Sequence, residues 1–248
     1  MLRYTARTDR GCRREKNEDR FYVPPENGPF LFAVADGMGG HAAGEVASSI
    51  TINRLGKKYG EQLEILRQGD PQACQIFLQD VIREAHEDIL AAQRENSACE
   101  GMGTTLTVMF FTGEDFIVGH VGDSQLHLFN KESCRQVTED HSMVNMLLKS
   151  GEITPEEALN HPQRNMLTSA LGAIDPYKVD FYRFTPCRGD DIILCSDGLT
   201  AMLRPEEIRR IIYRFKDTDI ESAADELLHQ AIVSGGLDNI TFIFIHIG

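Results

Sequence analysis

The sequence predicts a single α+β domain in which sheets and helices form separate layers, and three observations carry that prediction. Segments with strand and helix character come in blocks and not in strict βα alternation. Neighbouring strand segments are joined by turns too short for a parallel crossover. No linker, low-complexity tract or fixed-period repeat divides the 248 residues, a length that suits one large domain.

The strand segments are read from length and composition: 30–35 (FLFAVA), 104–111 (TTLTVMFF), 115–121 (DFIVGHV), 124–129 (SQLHLF), 179–185, 191–195 (DIILC) and 240–247 (ITFIFIHI). Gly113-Glu114 and Gly122-Asp123 lie between neighbouring segments at hairpin distance, which favours antiparallel pairing. Helices are read from apolar spacing, and each should lay its stripe on a sheet. Ala43, Val46, Ala47 and Ile50 follow i, i+3, i+4, i+7. Ile76, Phe77, Val81, Ala85 and Ile89 mark a helix around 72–93; Ile208, Ile211, Ile212 and Phe215 mark one around 205–215. Ile220, Ala223, Ala224, Leu227, Leu228 and Ala231 mark another. Between 142 and 165 the pattern changes to a small helical insertion: a short helix with Met143, Met146 and Leu147 that stops at Gly151, then Thr154-Pro155-Glu156-Glu157. In that tetrad threonine caps, proline suits the first helical position and glutamate closes a capping box.

Composition excludes several function classes. Lys and Arg total 25 against 38 Asp and Glu, a formal charge of −13, and such a surface repels a polyanion, so no nucleic-acid partner is expected. The N-terminal MLRYTARTDRGCRREKNEDR lacks an apolar signal run, and no stretch approaches the ~18 apolar residues of a membrane span. A cytoplasmic protein with no membrane partner is the expectation. The six cysteines form no CxxC pair, which argues against a disulfide framework or a zinc cluster. They also lack the Cys-x5-Arg spacing of a phosphate-cradling nucleophile, so water is the expected nucleophile.

The carboxylates separate by position. Asp36 ends FLFAVA and opens DGMGGH, Asp197 ends DIILCS and opens DGL, and Asp238 precedes the strand in GGLDNIT. Asp123 in HVGDS is a fourth of this kind. A carboxylate at the mouth of a buried strand is held rigidly yet reaches water, and adjacent glycine lets a carbonyl or a phosphate come close. One such aspartate is as readily a turn cap, but three strain that reading. Oxygen donors without a His or Cys cluster select Mg²⁺ or Mn²⁺ over Zn²⁺. The run RREKNEDR adds Arg14 and Glu18-Asp19. By itself it is a solvated loop; folded toward the aspartates, Arg14 offers a planar fork to phosphate oxygens while Glu18 and Asp19 hold metal-bound waters.

In chain order, DRGCRREKNED (9–19), VADGMGGHAAGEVAS (34–48), GMGTTL (101–106), GHVGDS (119–124), TEDHS (138–142), LTSALG (167–172), CSDGLT (195–200) and GGLDNIT (235–241) resemble the metal-dependent Ser/Thr protein phosphatases of the PP2C (PPM) family, in its compact bacterial form. The resemblance implies an α-β-β-α sandwich over residues 1–248, two antiparallel sheets flanked by helices, with a metal centre at one end between the sheets. It implies that 142–165 is a flap bordering the active site and influencing substrate choice. Asp36 then bridges two metals, the Gly37 carbonyl binds one, and Asp197 and Asp238 complete the other. Glu18 and Asp19 act through metal-bound waters, Arg14 holds the substrate phosphate, and Asp123 pairs with Asp197 for a third, weaker ion. The cofactor so implied is Mg²⁺ or Mn²⁺, two tight ions plus the weaker one. The reaction is hydrolysis of phosphoserine and phosphothreonine in proteins by water shared between metals, without a phosphoenzyme. The partner is a phosphorylated protein, the enzyme a monomer and its role regulatory signalling.

The chain departs from the family in places. Gln125 and Ser169 stand where members often have arginine, and Met38 stands where eukaryotic members place a histidine. His41, the nearest histidine, is the candidate for substrate contact and proton donation. Two rivals are a two-metal phosphodiesterase and a silent phosphoprotein-binding module; the −13 charge weighs against the first, intact Asp36, Asp197 and Asp238 against the second.

Overall fold

The computed structural model describes residues 2–26, 28–39, 43–215 and 219–248. Strands β1 (Leu2–Asp9) and β2 (Arg20–Tyr22) flank an N-terminal loop, followed by β3 (Leu31–Ala35), the short β4 (Gly37–Met38), α1 (Gly44–Glu61), α2 (Leu63–Leu66) and α3 (Pro71–Glu95). Then come β5 (Gly103–Thr104), β6 (Leu106–Phe111), β7 (Phe116–Val121), β8 (Gln125–Phe129) and β9 (Cys134–Gln136), and the insertion helices α4 (Met143–Ser150) and α5 (Pro155–Leu159). The remaining elements are β10 (Asp180–Phe184), β11 (Asp191–Cys195), α6 (Asp197–Thr200), α7 (Pro205–Phe215), α8 (Ile220–Val233) and β12 (Ile240–Ile247).

These strands form two antiparallel sheets, in the orders β1-β12-β11-β8-β9 and β10-β7-β6-β3-β2, with β4 and β5 as a small separate pair. Period-two alternation builds the layers. Phe32 and Val34 of β3 point between the sheets with Met109, Leu126, Leu194 and Ile243. Leu31, Ala33 and Ala35 point the other way, against Phe77, Val81 and Ile82 of α3. On the opposite sheet Phe242 and Phe244 of β12 face Ile208, Ile212 and Leu227 of α7 and α8. Removing each such large side chain from water contributes roughly 1.5–3 kcal/mol, so three stacked apolar seams hold the α-β-β-α sandwich together. Among the described residues no helix is long and apolar enough to cross a membrane.

The structure corrects the sequence reading in four places. Gly122-Asp123 is not a hairpin turn: β7 and β8 lie in different sheets, so the turn carries the chain across the seam. The run 104–111 is broken at Thr105, where β5 ends and β6 begins one residue later. Ile76 is 51% exposed, because the buried stripe of α3 runs through Cys74, Phe77, Leu78, Val81 and Ile82, and Ile76 stands one helical step outside it. Met146 is likewise 51% exposed, and α4 is anchored through Val144 instead. Four strands, β1, β2, β4 and β9, have no counterpart in the sequence reading.

The helical insertion forms as its caps dictate. The Ser142 hydroxyl accepts from Asn145 N–H, and α4 stops at Gly151 with φ 75°. Thr154 and Glu157 make a reciprocal capping box at α5. The root of the insertion is closed by Met143 N–H donating to Met166 O (2.8 Å) and Thr168 N–H to His141 O (2.8 Å). It is tied to the sheet-crossing turn by His141 N–H donating to Gly122 O (2.7 Å).

Candidate active site

The site lies at the end of the seam where β3, β7 and β11 finish and β12 begins. Asp36 leaves β3 with its backbone fixed on both sides. Its N–H donates to Thr105 Oγ1 (2.9 Å), and its carbonyl accepts from Thr105 N–H (2.9 Å) and the Thr104 hydroxyl (2.8 Å). Gly37 follows against the start of α1, where a Cβ would lie 2.2 Å from Gly44 O, so only glycine allows this approach. Asp197 opens α6 directly after β11. Gly198 beside it packs on the Asn239 carbonyl, from which a Cβ would be 1.9 Å.

Asn239 draws the N-terminal loop over the site. Its Nδ2 donates to Arg10 O (2.9 Å) and Lys16 O (2.8 Å), and its Oδ1 accepts from Glu18 N–H (2.8 Å). The loop thereby delivers Arg14, whose Nη2 donates to Asp238 Oδ2 at 2.7 Å. The result is a cleft of about 240 Å³ lined on one side by Arg14, Glu18, Asp36, Gly37, Asp123, Asp197 and Asp238. Met38, Gly39, Thr105, Asn165 and Leu167 line the rest, so the insertion borders the cleft through Asn165 at its end.

Every sequence-predicted residue except two is therefore gathered here. Asp19 stands behind the wall: it is buried, its Oδ2 accepts from Ser196 Oγ (2.7 Å), and its Oδ1 has no hydrogen-bond partner among the described residues. His41 lies outside the described residues. The sequence reading missed Thr105, Ser196, Asn239, Asn165 and Leu167. Thr105 and Asn239 sit inside recognised motifs, GMGTTL and GGLDNIT, and their position beside Asp36 and Asp238 was the available signal.

The electrostatics of the cleft are strained. Burial first, then the charges of Asp19, Asp197, Asp123 and Asp238, hold the Asp36 carboxyl well above its ordinary range. Burial, followed by the charge of Asp197, does the same to Asp123. Asp19 and Asp197 are each pushed up to about 6, again mainly by burial. Burial also raises Glu18. Arg14 is the only cation among the described lining residues, and its hydrogen bond to Asp238 stabilises its charged form.

Such a cluster demands more positive charge than one exposed arginine supplies. Its donors are all oxygen, and Asp19 keeps a buried oxygen unpartnered, so the residues fit a hard divalent cation. No group of three or more His, Cys, Asp or Glu among the described residues closes into a ligand cage. An open acidic cleft is the arrangement Mg²⁺-type ions use when waters complete the shell, since Mg²⁺ gives up its waters reluctantly.

Comparison with known proteins gives this architecture its place. It is that of solved serine/threonine phosphatases: the Streptococcus agalactiae enzyme superposes with a TM-score of 0.92 at 31% identity, covering 100% of both chains. The catalytic domain of the serine/threonine phosphatase PstP, solved in complex with two manganese ions, matches with a TM-score of 0.84 at 34% identity over 99% of this chain and 97% of that one. Residues 12–232 match the Protein phosphatase 2C sequence profile, and the chain belongs to that family of enzymes. Among curated relatives, the serine/threonine phosphatase stp of Listeria monocytogenes is 37% identical over 241 residues, 96% of this chain and 93% of its own.

Proposed function

We propose that this phosphatase hydrolyses phosphoserine and phosphothreonine in proteins with Mg²⁺ or Mn²⁺ as resident cofactor. The observation that carries the reading is the convergence of Asp36, Asp123, Asp197 and Asp238 from the ends of four different strands on one cleft, with Arg14 as its lining cation. Asp36, the Gly37 carbonyl, Asp197 and Asp238 would hold two tight ions, and Asp123 with Asp197 a weaker third. The two manganese ions of the PstP complex support a divalent-ion centre. When bound, the ions supply a lowered water pKa and positive charge against the phosphoryl oxygens.

The chain's own residues do the rest. Arg14 exchanges its Asp238 contact for the substrate phosphate, to which a guanidinium presents a matched fork. Glu18 and the free oxygen of Asp19 accept hydrogen bonds from ordered water. His41 is the proposed proton donor. The −13 charge supports a protein substrate over a nucleic acid. The pairing of β1 with β12 supports reading residues 1–248 as one catalytic unit. A cytoplasmic, monomeric signalling enzyme completes the proposal.

The test is phosphate release with Mn²⁺ from a phosphothreonine peptide, measured beside cleavage of bis(p-nitrophenyl) phosphate. Turnover of the peptide well above that of the diester is expected; a preference for the diester defeats the reading. Arg14→Ala should raise KM for the phosphopeptide about 5-fold with a smaller effect on kcat, because the contact is made with bound substrate as well as in the transition state. Steady-state kinetics identical to wild type would remove Arg14 from the phosphate site.

A further inference from the structure

Asp36 follows the end of β3 and Asp123 lies in the crossing between β7 and β8, and one side chain links the Asp36 backbone to Ser124, the residue after Asp123. Thr105 Oγ1 accepts from Asp36 N–H at 2.9 Å and lies 2.7 Å from Ser124 Oγ, with Thr105 and Ser124 only 2% and 0% exposed. Thr105 N–H donates back to the Asp36 carbonyl at 2.9 Å. Its methyl group blocks the other neighbour of Asp123: a Cβ on Gly122, whose φ is +103°, would lie 2.5 Å from Thr105 Cγ2. Thr105 therefore holds the backbone of Asp36 by two hydrogen bonds and touches both chain neighbours of Asp123, packing on Gly122 and bonding to Ser124. Thr105 is the one residue between β5 and β6.

Resting on the functional reading above, we propose that Thr105 is a positioning residue that fixes the separation of the Asp36 and Asp123 carboxylates and thereby tunes the weaker ion site assigned to Asp123. Thr105 need not touch ion or substrate to do so. Changing a group that orients a ligand typically costs a metal site about 10–100-fold in affinity. Removing the hydroxyl while keeping the shape leaves Asp36 N–H and Ser124 Oγ without a shared partner, so the two carboxylates lose their common reference.

The experiment is calorimetric titration of the substrate-free full chain with Mn²⁺ alone, in wild type, Thr105→Val, Thr105→Ser and Ser124→Ala. Thr105→Val is expected to weaken the weakest resolved Mn²⁺ step by about 10-fold, and Thr105→Ser to restore it to within about 2-fold of wild type. The Mn²⁺ concentration for half-maximal turnover should rise in parallel, while KM for a phosphopeptide at saturating Mn²⁺ stays put. Ser124→Ala, which leaves the Asp36 N–H bond in place, should weaken the same step and serves if Thr105→Val does not fold. Wild-type titration curves for Thr105→Val or Ser124→Ala overturn the proposal, as does Thr105→Ser failing as badly as Thr105→Val. A wild-type chain that takes up no Mn²⁺ brings down the functional reading together with this inference; normal uptake with unmoved variants brings down this inference alone.

Discussion

Asp36→Ala is expected to lower kcat for a phosphopeptide by ~10³ or more while the protein folds normally. Asp36 is the carboxylate that the charges of Asp19, Asp197, Asp123 and Asp238 all press upon, so it is the point at which positive charge is most needed. Its backbone is fixed by Thr104 and Thr105 independently of the side chain. The substitution therefore removes a ligand without loosening its support. It has a second signature with the opposite sign. A carboxyl whose pKa is raised in the folded state binds its proton more tightly there than in the unfolded chain, so its ionisation costs stability as pH rises above the unfolded value of roughly 4. In ion-free buffer at neutral pH, Asp36→Ala should melt above wild type, and the gap should close as pH falls through about 4, since well below that value the carboxyl is neutral in both states. Activity within 10-fold of wild type, or a melting temperature lowered at neutral pH, would contradict the assignment of Asp36 to the centre of the charge cluster.

Exhaustive chelation is expected to abolish turnover, with recovery on adding Mn²⁺ or Mg²⁺ and poor recovery with Zn²⁺. The cleft is built of oxygen donors in an acidic cluster, which suits hard cations, and it offers neither cysteine nor histidine among its described lining residues. The same treatment should register without any substrate. Mn²⁺ at about 100 times its dissociation constant stabilises the folded state by roughly 2.7 kcal/mol per site through mass action, visible as a rise in melting temperature on titration. Full activity after chelation, or a phosphorylated enzyme trapped during turnover, would end the reading.

The parts of the molecule legible in the sequence are those whose chemistry is local. ITFIFIHI reads as a buried strand because both of its faces are covered, one by the opposite sheet and one by α7 and α8. Asp36, Asp197 and Asp238 stand out because a carboxylate at the end of an apolar run is conspicuous whatever surrounds it. What could not be read depends on distant partners. β1 mixes Leu2, Tyr4 and Ala6, which face the seam, with Arg3, Thr5 and Arg7, and Arg7 is held by Glu221 and Asp225, more than 200 residues away. The division of strands between two sheets turns on Gly122-Asp123-Ser124, since a short turn can close a hairpin or step across a seam with the same composition. Thr105 and Asn239 are ordinary polar residues until the backbones they bridge have been brought together.

The order in which the site's parts are made has a bearing on the cell. Arg14 and Asp36 emerge early in synthesis, yet the loop that carries Arg14 is fastened by Asn239, and β1 pairs only with β12. A ribosome-bound chain must therefore add some 200 further residues before its first-made strand finds its partner and the loop that carries Arg14 is tied down. No partly made chain short of Asp238 carries the assembled cleft, so on the proposed reading a growing chain is expected to stay silent toward phosphoproteins around it until the 235–247 segment has joined the sheet.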